Sequence, residues 1–599
     1  MSTISPPLSD VGASAIDPIT FEVVRNAFVS ICNEMALVVA KTAYSTPVNE
    51  GRDFASGIYD SEGKLISQGE FDLPAFVGLT HLTVPEVIRA IGRENMQPED
   101  IYMINDPYVA STHCNDIHFV KPLFIAGELV AFVSATAHWS DVGGIAPGSL
   151  ICSGRTHFEE GMRIPAVTIY EQGVLNEDIL SLLLLNMRQT WERLGDFNAQ
   201  VAAVRAGEAR FRALVERQGL ALVLGTMAEV QNYSERMVRA AFESLPDGTY
   251  YGEDQCDQDL FTGEPKAIRL TVTIDGDHAI FDLTESDSAA ECSINCTIAA
   301  TTSALFIALA SILPPVPINS GVMRTIEIKA TRGSLAWAVP PSGISGLPAT
   351  TMDTVTSCVT QALSQALPER GVGAAYSILN CVFSGFDERP EFQSPFINYV
   401  WGFGGMGAAH DHDGTAASAA PYGGSIQTIP CELQERRYPV VWRRHQLLPE
   451  SGGAGKSRGG LALDELVEFP FQSGTVSCIG ARERFGAPGI FGAGDGATAG
   501  LIINRGTESE RNLGVMALHQ PVNSGEVMSL WSGGGGGYGD PLERPLEAVL
   551  ADVMDEYVSI ANAREQYGAV VQEIDRRTLA YEVDVAASER LRSELRAAR

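Results

Sequence analysis

Asn105–Gly144, NDPYVASTHCNDIHFVKPLFIAGELVAFVSATAHWSDVGG, decides how this chain is read, and it holds three of the ten histidines. Ile117–Phe124 reads as an apolar strand carrying one Lys, and Leu129–Ala137 as a second strand of apolar and small residues. Ala126-Gly127-Glu128 between them signals a turn, so the pair is expected to be a β-hairpin. Residues equidistant from a hairpin turn face each other. With the turn centred at Ala126-Gly127, His138 falls opposite Asn115 and Asp116, and His113 lies one short step upstream. Two imidazoles and a carboxylate therefore meet at the open end of one hairpin. These donors suit a divalent transition ion such as Zn, Mn, Fe or Co better than Ca or Mg. Three protein ligands leave positions open for water or substrate, as a catalytic site requires. Asp141, three residues past His138, is placed to orient an imidazole. The competing reading is a strand-end histidine that only hydrogen-bonds at the surface.

Outward from this stretch, 599 residues suggest about three to five domains, or fewer large ones. Hydrophobic residues at 45% and charged residues at 19% give enough apolar area for large cores. A net charge of −32 argues against nucleic acid and anionic membrane surfaces as partners. Met1–Asp17 has neither a basic start nor an apolar run, so no secretory leader is expected. Ile298–Leu313 is apolar but shorter than the ~20 residues of a membrane span, and reads as a buried helix. The ten cysteines are scattered without a CxxC pair, which predicts a reduced, cytoplasmic protein with most thiols in cores. Cys114 reads as a bystander within the hairpin site.

The fold class expected is mixed α/β (α+β), a large multidomain subunit with a β-hairpin-borne metal site. An N-terminal α/β domain would span 15–245. Within it, Pro18–Thr46 keeps helical spacing through Phe21, Val24, Phe28, Ile31, Met35 and Val38. Ser56–Asp60 reads as a strand, and Asp53 on spacing alone as a surface pair with Arg52 or a helix cap. Asp178–Gly219 is helical, and the pattern runs on to about Glu243. A middle α+β domain over 246–440 opens with Tyr250–Leu283, which alternates like β-sheet and turns at Asp275-Gly276-Asp277. A Gly-rich β domain would cover 441–544, and a helical tail 545–599, interrupted at Tyr567–Val571. Ser451–Ser457 (SGGAGKS) looks like a phosphate loop, but Glu450 stands where its first Gly belongs and the strand-like run Leu461–Phe471 follows where a helix is required. Ser532–Asp540 (SGGGGGYGD) fits either an anion-binding nest or a close approach of backbone to backbone.

Taken together and in order, several short pieces resemble the hydantoinase B/oxoprolinase family, which is similar in turn to the α subunits of acetone carboxylase. They are Asn105-Asp106-Pro107-Tyr108, Thr112-His113 with Asp116, Ala137-His138-Trp139 with Asp141-Val142-Gly143-Gly144, and Glu160–Pro165. They continue with Asn186-Met187-Arg188, Gly195-Asp196, Ser451–Gly455, Arg458-Gly459-Gly460 and Gly533–Pro541. The resemblance implies a B-type subunit in a hetero-oligomer, working with a hydantoinase A-type ATPase subunit of actin/Hsp70-like fold that carries ATP and Mg. It implies His113, Asp116 and His138 as metal ligands, and makes Asp53 a candidate fourth. One departure is Phe76, where relatives often carry His.

The implied chemistry is ATP-dependent opening of a cyclic amide: a hydantoin, a lactam or a 5-oxoproline-like ring. The partner phosphorylates the carbonyl oxygen, metal-activated water attacks, and Asp141 or a neighbouring carboxylate takes a proton. The same apparatus would serve ATP-dependent ketone carboxylation. Two imidazoles and one carboxylate also match a non-haem iron oxygenase, and a non-catalytic scaffold for an ATPase is a third reading.

Overall fold

In the computed structural model, residues 16–470 and 473–599 are described. The leader reading of Met1–Asp17 falls, up to Ala15, outside them, as does Phe471 at the end of the expected 461–471 strand. Helix Pro18–Thr42 opens the described chain. Asp17 caps it by accepting from the Ile19 and Thr20 amides, and Pro18 sits in its first turn, where a missing N–H costs nothing. Its buried face, Phe21, Val24, Phe28, Ile31, Met35 and Val39, repeats every three or four residues. The helix ends four residues before Thr46, because the amides of Tyr44 and Ser45 turn away to Asp196 Oδ1 at 2.9 and 3.0 Å.

The first sheet is antiparallel. It holds β1 (Phe54–Asp60), β2 (Leu65–Gln68), β3 (Ile101–Ile104), β4 (Asp116–Ile125), β5 (Glu128–His138), β6 (Val167–Glu171) and β7 (Val174–Leu175), ordered β2-β1-β5-β4-β3-β6-β7. The β4–β5 turn is Ala126-Gly127, both at positive φ (51° and 87°), the two-residue geometry that matches strand twist. In register, Asp116 stands opposite His138. The expected continuous helix after Asp178 is three: Glu177–Leu185, Thr190–Gln218 and Leu220–Glu243. The last two are separated by Gly219, whose φ of +85° no ordinary helical residue adopts. Helix Thr190–Gln218 packs on both β4–β5 and Pro18–Thr42, with Met35 against Gly207.

A second sheet, β8 (Gly248–Cys256), β9 (Lys266–Asp275), β10 (His278–Asp282) and β11 (Ile326–Lys329), runs β11-β10-β9-β8 and is antiparallel except for β10–β11. Helices Ile298–Ile312 and Thr351–Ala366 belong to its core, and the first is buried almost all round, as its unbroken apolar run requires. The remaining strands are β12 (Leu379–Asp387), β13 (Ser394–Gly402), β14 (Val441–Leu447), β15 (Leu463–Glu468), β16 (Gly474–Ile479), β17 (Gly500–Ile503), β18 (Arg511–Asn512), β19 (Ala517–Val522) and β20 (Val527–Trp531). They form sheets β13-β12-β16-β19 and β14-β15-β20-β17-β18, so one sheet draws strands from both sides of the boundary expected at 440. The tail is not wholly helical. Between its helices a hairpin, β21 (Val571–Asp575) and β22 (Ala580–Val583), occupies part of the segment read as helix.

The second Gly-rich segment resolves in favour of backbone packing. The amides of Gly534, Gly535, Gly536 and Gly537 donate to the carbonyls of Ala497, Gly460, Ala374 and Gly494 in turn. Residues 534 and 537 thus return to one neighbour, the three-residue repeat of an extended helix rather than the two-residue repeat of a strand. A Cβ on Gly535 would lie 1.9 Å from the Met406 carbonyl oxygen, so only glycine fits. With these amides committed to carbonyls, none is left to form the anion nest. The phosphate-loop look-alike joins the same lattice: Gly453, Lys456 and Ser457 donate to the carbonyls of Gly535, Gly539 and Tyr538. Strand β15 follows it, not a helix.

Candidate metal centre

His113, Asp116 and His138 each offer a ligand atom, and these atoms lie within 4.8 Å of one another. Asp116 opens β4 and His138 closes β5, and the register brings them face to face. His113 reaches the pair from the preceding loop: its Nδ1 is 2.9 Å from Asp116 Oδ2, and its ring centroid is 5.0 Å from that of His138. The Thr112 hydroxyl also donates to Asp116 Oδ2.

Asp53 joins them. It precedes β1, which pairs with β5, and the His138 amide donates to the Asp53 carbonyl at 3.1 Å. The surface-pair reading of Asp53 is corrected here. The residue is buried at 6% exposure and its carboxyl lines the same cavity as the histidines, because β1 runs beside β5 and carries the start of the strand into the interior.

Three side-chain atoms in this cluster are buried without any hydrogen-bond partner: Asp53 Oδ1, Asp116 Oδ1 and His138 Nδ1. Buried polar atoms are almost always paired, and two carboxylate oxygens with an imidazole nitrogen make an acceptor-rich set that a cation would satisfy. The donor set therefore fits a divalent transition ion.

Burial and mutual proximity shift each titratable group of the cluster. Burial, helped by His113, drives His138 down to about 3, so its ring is the neutral form that ligates metals. Burial and the neighbouring Asp116 push Asp53 up to about 8. Burial alone would raise Asp116, but the charge and hydrogen bond of His113 hold it below the usual carboxylate range. His113 is raised in return, the Asp116 carboxylate outweighing its burial.

Asp141 lies elsewhere. It is fully buried, and each carboxylate oxygen accepts two hydrogen bonds. Oδ1 takes the Gly143 and Arg188 amides, and Oδ2 takes the Gly148 amide and the Arg188 guanidinium. The Arg188 guanidinium also reaches the carbonyls of Gly143, Gly144 and Ala146. Asp141 and Arg188 together fix the loop after β5, and Asp141 does not line the cavity. Cys114 is buried and outside the ligand group, as expected of a bystander.

Helix Thr190–Gln218 braces the hairpin from behind. Gln200 accepts from the Trp139 indole at 2.8 Å and donates to the carbonyls of Ile117 and Ala135 at 2.8 and 3.1 Å. The remaining wall comes from far along the chain: Asn380 on β12, Tyr399 and Trp401 on β13, and Tyr422. Tyr399 meets the His138 ring edge-on at 5.4 Å, and its hydroxyl donates to the Gly148 carbonyl. These four residues escaped the sequence reading. The only local signal was the alternation of two aromatics at 399 and 401, which marks one face of a strand but names no site. Phe76 lines the cavity too. The cavity is narrow, about 30 Å³, room for one or two waters.

A large multi-sheet protein with a buried histidine–carboxylate group facing a narrow cavity is the class that fold and site define. A family model described as Hydantoinase B/oxoprolinase matches residues 17–541. The beta subunit of the caprolactamase of Pseudomonas jessenii is 32% identical over 568 residues, covering 93% of this chain and 97% of that one. The crystal structure of the ATP-dependent caprolactamase from that organism superposes with a TM-score of 0.87 at 31% identity, covering 97% of this chain and 100% of that one. The B-type chain of a putative D-/L-hydantoinase from Pseudomonas sp. (strain NS671) is 30% identical, with 94% and 97% covered. The nucleotide-free structure of acetone carboxylase superposes with a TM-score of 0.89 at 20% identity over 99% of this chain and 84% of that one, a likeness of fold. The chain belongs to the Hydantoinase B/oxoprolinase family.

Proposed function

We propose that this chain is the ring-opening subunit of an ATP-dependent cyclic-amide hydrolase, acting beside an ATPase subunit of actin/Hsp70-like fold. His113, Asp116 and His138, with Asp53 as fourth ligand, would hold a divalent transition ion, Zn or Mn, at the open end of the β4–β5 hairpin. The observation that carries the reading is the set of three orphaned, buried donor atoms at one cavity. The names of the relatives support it: one is a caprolactamase subunit and one a hydantoinase subunit, both alike over nearly their full length. The acetone carboxylase likeness, at 20% identity, speaks for the fold and not for carboxylation.

An amide carbonyl resists water because resonance stabilises it; phosphorylation of its oxygen by the partner would give an imidate whose carbon accepts water, the ring C–N bond would then break with the hydroxyl proton passing to the ring nitrogen, and a second water would release phosphate from the acyl phosphate that remains. When bound, the ion supplies Lewis acidity and lowers the pKa of water towards ~7. The chain's own residues do the rest. Neutral His138 and ionised Asp116 present lone pairs to the ion. The Thr112 hydroxyl and His113 fix the orientation of Asp116 through its Oδ2. Asp141 is spent on its loop and lies outside the cavity, so it is not placed to take the proton of the attacking water. Tyr399, Trp401 and Phe76 close the cavity and exclude bulk water. The ten free thiols favour a reducing, cytoplasmic setting.

The test is to purify the chain with its cognate ATPase subunit, measure bound metal, and screen hydantoins, lactams, 5-oxoproline and ketones for ATP consumption and ring opening, with and without bicarbonate. Ring opening that requires both subunits, ATP and metal is the expected result. Bicarbonate-dependent ATP consumption with ketones alone would overturn it in favour of carboxylation.

A further inference from the structure

One face of the molecule is apolar and open to solvent. In helix Glu177–Leu185 the buried residues are Leu180 and Leu183, while the run Leu182–Leu185 puts leucine on every side of the helix. Leu185 is 84% exposed, and Leu182 more than half. Trp191 follows across the turn at Arg188 and Gln189, and its ring meets that of Tyr44 at 5.7 Å. The Arg188 guanidinium binds the carbonyls of Gly143, Gly144 and Ala146, which brings Ile145 alongside. The Ile145 amide donates to the carbonyl of Glu159, next to Phe158, itself 78% exposed. Tyr44, Ile145 and Trp191 are each more than half exposed.

Together these six side chains expose on the order of 700 Å². That exceeds the about 300–600 Å² of a monomer's largest apolar patch and nears the ~800 Å² that each partner gives a stable interface. The ends of the face carry exposed acidic residues. Glu177 and Asp178 stand at the helix start, and Glu388 and Glu391 in the β12–β13 turn, which the Gln189 side chain ties to the face through the Pro395 carbonyl at 2.8 Å. Arg188 and Arg389 are spent internally, on Asp141 and Asp387. An apolar centre between acidic ends fits a partner whose own apolar patch is flanked by Lys and Arg. A second copy of this chain would set acidic ends against acidic ends, with a net charge of −32 on each copy.

The face also adjoins the ligand cluster. Ile145 lies seven residues past His138, at most about 25 Å of chain, and Asp141 pins that loop to Arg188. Resting on the function proposed above for the identity of the partner, we infer that the ATPase subunit docks on this face, with Phe158, Leu185 and Trp191 as its anchors. Bulk water destroys an activated intermediate, so the subunit that makes it has to sit close to the one that uses it.

Surface plasmon resonance of the full chain against its cognate ATPase subunit tests this. Leu185→Glu combined with Trp191→Glu should weaken the complex at least about 100-fold, while Ile574→Glu, equally exposed on β21, leaves affinity within about threefold of wild type. Glu388→Lys combined with Glu391→Lys should slow association several-fold at low salt. Hydrogen exchange of the wild-type chain, free and in the complex, reads the same face without any substitution: peptides spanning 141–146, 157–160 and 181–195 should gain protection. Unchanged affinity of the Leu185→Glu/Trp191→Glu variant overturns the inference, as does a complex that leaves those peptides unprotected. A wild-type chain that forms a dimer which Leu185→Glu dissolves gives the face to a second copy and overturns it too. Should the wild-type chain bind no ATPase subunit, the proposed function itself fails, an outcome distinct from a complex that forms through another face.

Discussion

Gln200→Leu removes the brace behind the hairpin while nearly conserving volume. In the wild-type chain the Gln200 amide ties three groups together: the Trp139 indole at 2.8 Å, the Ile117 carbonyl at 2.8 Å and the Ala135 carbonyl at 3.1 Å. Trp139 is fully buried, so its N–H would be left without an acceptor and without water. An unsatisfied buried donor costs about 1–3 kcal/mol, and losing the two hydrogen bonds to strand carbonyls brings the total to about 2–4 kcal/mol. The loss falls on β4 and β5, so it should be read locally. Hydrogen exchange over peptides spanning 116–138 reports the free energy of opening that hairpin. At 1.4 kcal/mol per decade, protection there should drop about 30- to 700-fold, with little change in the second sheet. Protection within threefold of wild type would show that helix Thr190–Gln218 does not hold the hairpin through Gln200.

Gly535→Ala places a Cβ 1.9 Å from a backbone carbonyl oxygen and should cost more than about 4 kcal/mol, read as loss of soluble protein. Gly127→Ala, with nothing within 4 Å of its Cβ but a φ of +87°, should cost about 1 kcal/mol in urea unfolding; equal effects of the two would refute the glycine lattice. Burial raises the Asp72 carboxyl to about 7, above its ordinary 3.8, so the folded state holds that proton more tightly. Its contribution is present below about pH 4 and is lost as pH rises through about 7, so wild type should lose stability relative to Asp72→Asn across that window. A difference flat with pH would contradict the assignment. Titrating Mg-ATP into the isolated chain should give no heat of binding, since the Gly453, Lys456 and Ser457 amides are committed to carbonyls and a strand, not a helix, follows the loop; micromolar binding would reopen that loop.

What the sequence made legible follows from locality. The hairpin register could be counted outward from Ala126-Gly127, and it put His138 opposite Asp116 because antiparallel pairing over ten residues leaves little freedom. The buried helix Ile298–Ile312 was equally plain from its apolar run. Asp53 was not, because its burial depends on β1 lying beside β5, a pairing across some eighty residues that no local pattern encodes. Asn380, Tyr399, Trp401 and Tyr422 were still less accessible, since they reach the cavity only when a separate sheet docks against the hairpin end. Asp141 misled for the opposite reason. Sequence proximity to His138 suggested chemistry, whereas its four hydrogen bonds spend it on the following loop. The helix breaks at 186–189 and 219 were overlooked because apolar spacing continues through them, while the left-handed conformations of Gln189 and Gly219 end each segment.

The central claim is that ATP chemistry and ring opening are divided, with the second resting on the ligand cluster of this chain. The most direct measurement is the ratio of ring-opened product to ATP consumed in the complex carrying Asp116→Ala, with bound metal measured on the same sample. Asp116 touches His113 and faces His138, so its removal should empty the centre. The account predicts that the variant complex still consumes ATP when given substrate, perturbed in rate but not abolished, and yields little ring-opened product, whereas wild type couples the two. Normal product formation by the Asp116→Ala complex, or ring opening by the isolated wild-type chain without ATP, would contradict it.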